Sequence, residues 1–126
     1  MRLHRPHPSP ASVVHGREWG YALPEEEAGA LWTEFLFDGA AHRHDVAPLL
    51  AARLRELAGW FEHQTVWRFY GSSLLVMYEG DPSAPPAVDV KWIDFAHASP
   101  AGGEVDAGCA LGLRTLLRLL EGASSR

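Results

Sequence analysis

Apolar positions along this chain follow two spacings. Between residues 28 and 61 they recur at three- and four-residue steps, as on helices that bury one face. Pro24 followed by Glu25, Glu26 and Glu27 is a helix opening, with proline in the first turn and acids at the positive end of the dipole. The spacing of Ala28, Leu31, Trp32, Phe35 and Leu36 predicts a helix to about Phe37, with Gly39 as a left-handed stop. A second helix is predicted from Asp45, as N-cap, to about Glu62, with Pro48 in the tolerated first turn. Leu49, Leu50, Leu54, Leu57, Trp60 and Phe61 form its buried face, and Arg53, Arg55 and Glu56 its wet one. From Trp67 the pattern becomes aromatic and branched. Residues 67–70 and 74–78 form one run, interrupted by Gly71, and residues 88–95 another, with a proline-rich connection over 80–86. The two runs read as neighbouring antiparallel strands. A leucine-rich helix over about 106–121 follows, ended by Gly122.

These elements make an α+β arrangement of three helices and short antiparallel strands. Residues 1–13 are expected to form a disordered tail, because residues 1–12 hold three prolines, two histidines and two arginines with little that is apolar. Two strands alone make a poor sheet. Five Trp, five Phe and three Tyr in 126 residues further suggest more apolar surface than the chain covers by itself.

Composition narrows the classes. The chain is 47% hydrophobic and 21% charged, which fits one globular domain. Its net charge of −5 argues against a nucleic-acid partner, which selects for a basic stripe. No apolar run has the roughly 18–20 residues of a membrane span, so no membrane association is expected. A single cysteine, Cys109, excludes a disulfide framework and a multi-cysteine zinc site, and reads as a buried small side chain. His42 and His44 have no third ligand near them in sequence and read as a solvated loop. Neither a G-x-x-x-x-G-K-[ST] nor a G-x-G-x-x-G phosphate loop is present.

The chemistry concentrates in Ser72-Ser73-Leu74-Leu75, in Ile93-Asp94-Phe95-Ala96-His97, and in Asp106-Ala107-Gly108 leading to Leu111-Gly112-Leu113. Asp94, between Ile93 and Phe95, interrupts an apolar stretch, where a carboxylate is costly unless a metal or donors satisfy it. Its alternative role is to cap the turn that follows. Taken jointly over residues 14–122, the SSLL, IDFAH and D-x-G patterns, with Arg68-Phe69-Tyr70 before them, resemble the inositol polyphosphate kinases, which include multikinases and inositol hexakisphosphate kinases.

The resemblance implies a protein-kinase-like fold. It also implies ATP-dependent phosphoryl transfer to inositol phosphates, with Mg²⁺ as cofactor and ATP and inositol polyphosphates as partners. It assigns Asp94 the catalytic, metal-binding role and His97 a substrate-phosphate contact, against a plain surface-turn histidine. Ser72 and Ser73 become polar support around the nucleotide, and Leu74 and Leu75 an apolar floor beneath the adenine, against ordinary core leucines.

The family's P-x-x-x-D-x-K-x-G motif has no counterpart. Pro85, Asp89 and Lys91 mimic it, but Ile93 replaces the final Gly and the segment runs straight into the IDF strand, so Lys91 reads as a solvent-facing strand residue. Residues 14–123 are thus expected to be the C-terminal lobe alone, without the N-terminal lobe, and weak or inactive by themselves. The alternative is a non-catalytic protein-binding module derived from that lobe. Self-association or a protein partner through exposed apolar surface, and an intracellular setting in cytoplasm or nucleus, complete the expectations.

Overall fold

A computed structural model describes residues 2–5, 11–15, 18 and 22–124, the backbone alone over 2–5 and 11–14. Strands β1 (Arg2–Arg5) and β2 (Ala11–Val14) pair antiparallel, Arg2 opposite Val14 and Arg5 opposite Ala11. Within the described residues, this ribbon replaces the expected disordered tail. A ladder satisfies its backbone donors and acceptors internally, which a composition argument about apolar burial does not count.

The first predicted helix divides. A 3-10 turn over Glu25–Glu27 precedes helix α1 (Ala30–Phe35). Helix α1 stops before Phe37 because the amide of Arg43 donates to the Leu36 carbonyl at 2.8 Å, turning the chain into a Phe37–His42 bridge. Gly39 supplies the positive φ, 105°, inside that turn.

Helix α2 (Ala47–His63) has Val46, not Asp45, at its N-cap. The Asp45 carboxylate is held instead by Arg43, Nε to Oδ1 and Nη2 to Oδ2, both at 2.9 Å. Arg43 is itself 4% exposed, donates to the Glu79 carbonyl at 2.8 Å and lies over the Tyr78 ring. A bidentate guanidinium offers a carboxylate more than a helix end does.

Strands β3 (Trp67–Tyr70), β4 (Ser73–Tyr78), β5 (Val88–Ile93) and β6 (His97–Pro100) follow, then helix α3 (Ala107–Ser124). The β4–β5 pairing is as predicted, but β3 pairs with β6 and the strand expected to reach Phe95 ends at Ile93. Helix α3 runs through Gly122 rather than ending there.

The core lies between α2 and α3, where Leu50, Leu54, Phe61, Leu113 and Leu120 are buried; Trp32, also buried, donates its Nε1 to the Leu116 carbonyl at 2.9 Å. Phe61 meets Phe69 and Trp92 edge-on at 5.6 and 4.9 Å, locking the sheet onto α2. Leu49 and Trp60, predicted inside, are 40% and 50% exposed. Among the described helices, none is long and apolar enough to cross a membrane.

Candidate functional site

Residues 67–100 form one long hairpin with a kink in its middle. On one side the chain passes from β3 to β4 through Gly71 and Ser72; on the other it passes from β5 to β6 through Asp94, Phe95 and Ala96. Tyr70 is opposite His97 and Ser73 opposite Ile93, so three residues face two and the register slips by one. That is a bulge, which bends the ribbon and re-aims the side chains at the bend. Both sides need a left-handed residue there, and Gly71 at φ 64° and Asp94 at φ 68° supply it. Asp is one of the few residues beside glycine that enters this region at modest cost.

Several of the residues singled out in the sequence lie at or beside this kink. Asp94 is exposed, and no hydrogen bond or ion pair to its carboxylate occurs among the described residues. It therefore does not cap the following turn, whose closing bond runs from the Ala98 amide to the Phe95 carbonyl at 3.0 Å. His97 is exposed across the ribbon from Gly71, where a methyl group would stand 3.6 Å from its Cδ2.

The serines and leucines part company. The Ser72 hydroxyl donates to the Phe69 carbonyl at 3.0 Å and holds the crossover together, whereas Ser73 is exposed at the start of β4. Along β4 exposure alternates, so Leu74 packs against the core while Leu75 is 41% exposed. Both border an apolar groove of about 400 Å³ between α1 and β4, also lined by Leu31, Trp32, Phe35 and Leu116. On the outer face, cross-strand pairing sets Ile93 against Ser73 and Lys91 against Leu75. Ile93, 39% exposed beside Asp94, was missed from sequence, although the period-two alternation of β4 and β5 could have singled it out. Lys91 faces solvent as expected, loosely paired with Asp89 at 3.5 Å.

Below the kink, Asp106 joins the hairpin to α3. Its Oδ2 accepts the Phe69 amide at 2.8 Å and its Oδ1 the Cys109 amide at 3.2 Å, the latter an N-cap bond. Burial pulls its pKa upward, but the amides outweigh this and leave the carboxyl below its usual range. Burial, aided by Asp106, pushes the half-buried Cys109 thiol up to about 12, which suits a packing residue. His42 and His44 are exposed on the loop before α2, and among the described residues no group of three or more His, Cys, Asp or Glu could hold a metal. A lone exposed carboxylate does suit Mg²⁺, which keeps several waters and takes one or two protein carboxylates plus phosphate oxygens.

The chain is similar to known proteins. The family model for inositol polyphosphate kinase matches residues 1–121. An inositol polyphosphate multikinase of Oryza sativa subsp. indica is 38% identical over 76 positions, covering 55% of this chain and 26% of the relative. Inositol hexakisphosphate kinase 1 of Mus musculus is 29% identical over 153 aligned positions, covering 86% of this chain and 35% of the relative. A solved structure from studies of an inositol phosphate multikinase superposes with a TM-score of 0.81 at 22% identity, covering 96% of this chain and 58% of that one. The chain thus spans between about a quarter and a third of the curated relatives' length.

Proposed function

Because the chain belongs to the inositol polyphosphate kinase family, we propose that its kinked hairpin is the nucleotide and substrate face of an ATP-dependent inositol phosphate kinase. The observation that carries the reading is Asp94, a carboxylate set at a left-handed kink, exposed and without an internal partner among the described residues. An exposed carboxylate held by the backbone at a fixed bend, with no protein partner among the described residues, is free to take a metal ligand. In this reading Asp94 holds Mg²⁺, which when bound neutralises charge on the ATP phosphates. Leu75 and Ile93 offer the adenine an apolar floor, with Ser73 beside them; Leu74 supports Leu75 from the core side, and Ser72 acts on the backbone. His97 donates to a phosphate of the acceptor, whose hydroxyl oxygen attacks the γ-phosphorus as the bond to ADP breaks and the hydroxyl proton passes to water. The setting proposed is intracellular, in cytoplasm or nucleus.

Phosphoryl transfer rests on positioning and charge neutralisation, and this chain spans only part of its relatives, so weak activity is expected from it alone. The test is incubation with labelled ATP, Mg²⁺ and inositol tris- to hexakisphosphates beside Asp94→Asn. Label entering the inositol products, and lost in the variant, supports the reading. A second reading is a non-catalytic module that binds a protein partner or a second copy. Its support is the exposure of Leu75, Met77, Ile93 and Phe95 on and beside the same sheet. It predicts a folded chain with no transfer and no Asp94-dependent Mg·ATP binding.

A further inference from the structure

Beside His97, the β3–β6 half of the hairpin carries polar side chains that the kinase reading leaves unused. Its inner side is set by Phe69, whose ring meets Phe61 at 5.6 Å and Trp60 at 6.1 Å, with Ala98 as its cross-strand partner. Side chains alternate across a strand, and directly opposed residues share a face. The other face therefore holds Arg68 opposite Ser99 and Tyr70 opposite His97, four hydrogen-bond donors in a two-by-two array. Tyr70 and His97 are exposed, and the Arg68 side chain is 35% exposed.

Resting on the kinase reading, we propose that Arg68, Tyr70, His97 and Ser99 form a phosphate-recognition array that binds the acceptor substrate, a polyphosphorylated ring, beside Asp94. The array suits such a ligand in charge and in spacing. A guanidinium grips a phosphate through paired N–H groups, and a phenol and a hydroxyl add neutral donors without adding charge. Residues opposite one another lie about 4.5–5.5 Å apart, and next neighbours on one face of a strand about 7 Å, which spreads the donors over adjacent phosphates of one ring rather than over a single group.

Arg68 is engaged by Glu104, Nη2 to Oε2 at 2.8 Å, on a side chain that is 77% exposed. An exposed carboxylate of this kind is readily exchanged for a phosphate, since surface pairs are weak. Glu104 is thus a competitor for Arg68, and that gives the proposal a sign a structural role lacks.

Calorimetric titration of the full chain with inositol hexakisphosphate, without nucleotide, tests it. Wild type binds; Arg68→Ala weakens binding about tenfold or more, as loss of a charge-assisted bond implies. Tyr70→Phe weakens it a few-fold, Glu104→Gln strengthens it a few-fold, and Arg53→Ala on α2 changes it less than twofold. The proposal is overturned if Arg68→Ala matches Arg53→Ala, if Glu104→Gln weakens binding as a broken structural pair does, or if folded wild type binds nothing. Asp94-dependent transfer of label is scored separately, so a kinase that ignores Arg68 sinks the array and leaves the kinase reading standing. Glu104→Gln keeps the test decisive should Arg68→Ala not fold.

Discussion

Asp106 ties two elements with one side chain. Removing its carboxylate leaves the Phe69 and Cys109 amides without their acceptor. Asp106→Ala is expected to cost about 1–2 kcal/mol, read as a lowered denaturant midpoint. The pH dependence follows from the direction of the shift. A carboxyl lowered on folding contributes stability that is present above its unfolded pKa, about 3.9, and lost as pH falls through the folded value. Asp45, lowered first by its hydrogen bond to Arg43, acts in the same sense. Stability is therefore expected to fall below about pH 4, and Asp106→Asn to shallow that fall; an unchanged acid limb in the variant contradicts the assignment. Cys109 runs the other way. Raised to about 12, the thiol contributes stability that is present below its unfolded pKa and lost as pH rises toward the folded one. At pH 8 it should react with a disulfide reagent far more slowly in native than in unfolded protein, and equal rates would refute its burial as the cause.

The kinked hairpin separates what position demands from what charge demands. Asp94 pays for a left-handed backbone that glycine adopts freely, so Asp94→Gly is expected to hold or raise the melting temperature. Asp94→Ala is expected to lose about 1 kcal/mol from the same strain. Both variants should lose Mg·ATP binding alike. A stability order with Gly below Ala would mean that the kink is not held as described. The same element shows how far sequence reasoning reaches. The three helices and the β4–β5 pair carry local periodic signals and were legible. The β3–β6 pair was not, since its partners are some thirty residues apart and His97-Ala98-Ser99-Pro100 has little intrinsic strand preference. Only register across the bulge brings Arg68 and Tyr70 beside His97. Asp94 was legible as a residue from its motif, but its conformation and free carboxylate were not. Leu74 and Leu75 read alike in sequence because a doublet always splits between the faces of a strand, and only packing decides which one is exposed. The Asp45 cap failed for a nonlocal reason, the capture of its carboxylate by an Arg43 that is itself anchored on Glu79 and Tyr78.

At the scale of the molecule, the outer sheet face is more apolar than a solvated surface favours. Leu75, Met77 and Ile93 are each about two-fifths exposed there, with Phe95 at 55% exposed just beyond Asp94. Among the described residues β4 pairs only with β5, so its other edge, running through Ser-Leu-Leu-Val-Met-Tyr, has no proline and no charge to discourage a further strand. Purified on its own, the chain is expected to bind a hydrophobic dye and to self-associate with rising concentration, seen as a shift in sedimentation coefficient. Met77→Lys places a charge on that face, and at an exposed strand position it should change stability by no more than about 0.5 kcal/mol. The variant should lose both dye binding and association. If wild type sediments as a dye-silent monomer at every concentration, the face is adequately solvated and the partner reading loses its support. If Met77→Lys melts as wild type does yet associates as strongly, the contact lies elsewhere, and the exposed Val66, Trp67 and Leu111 become the surface to change next.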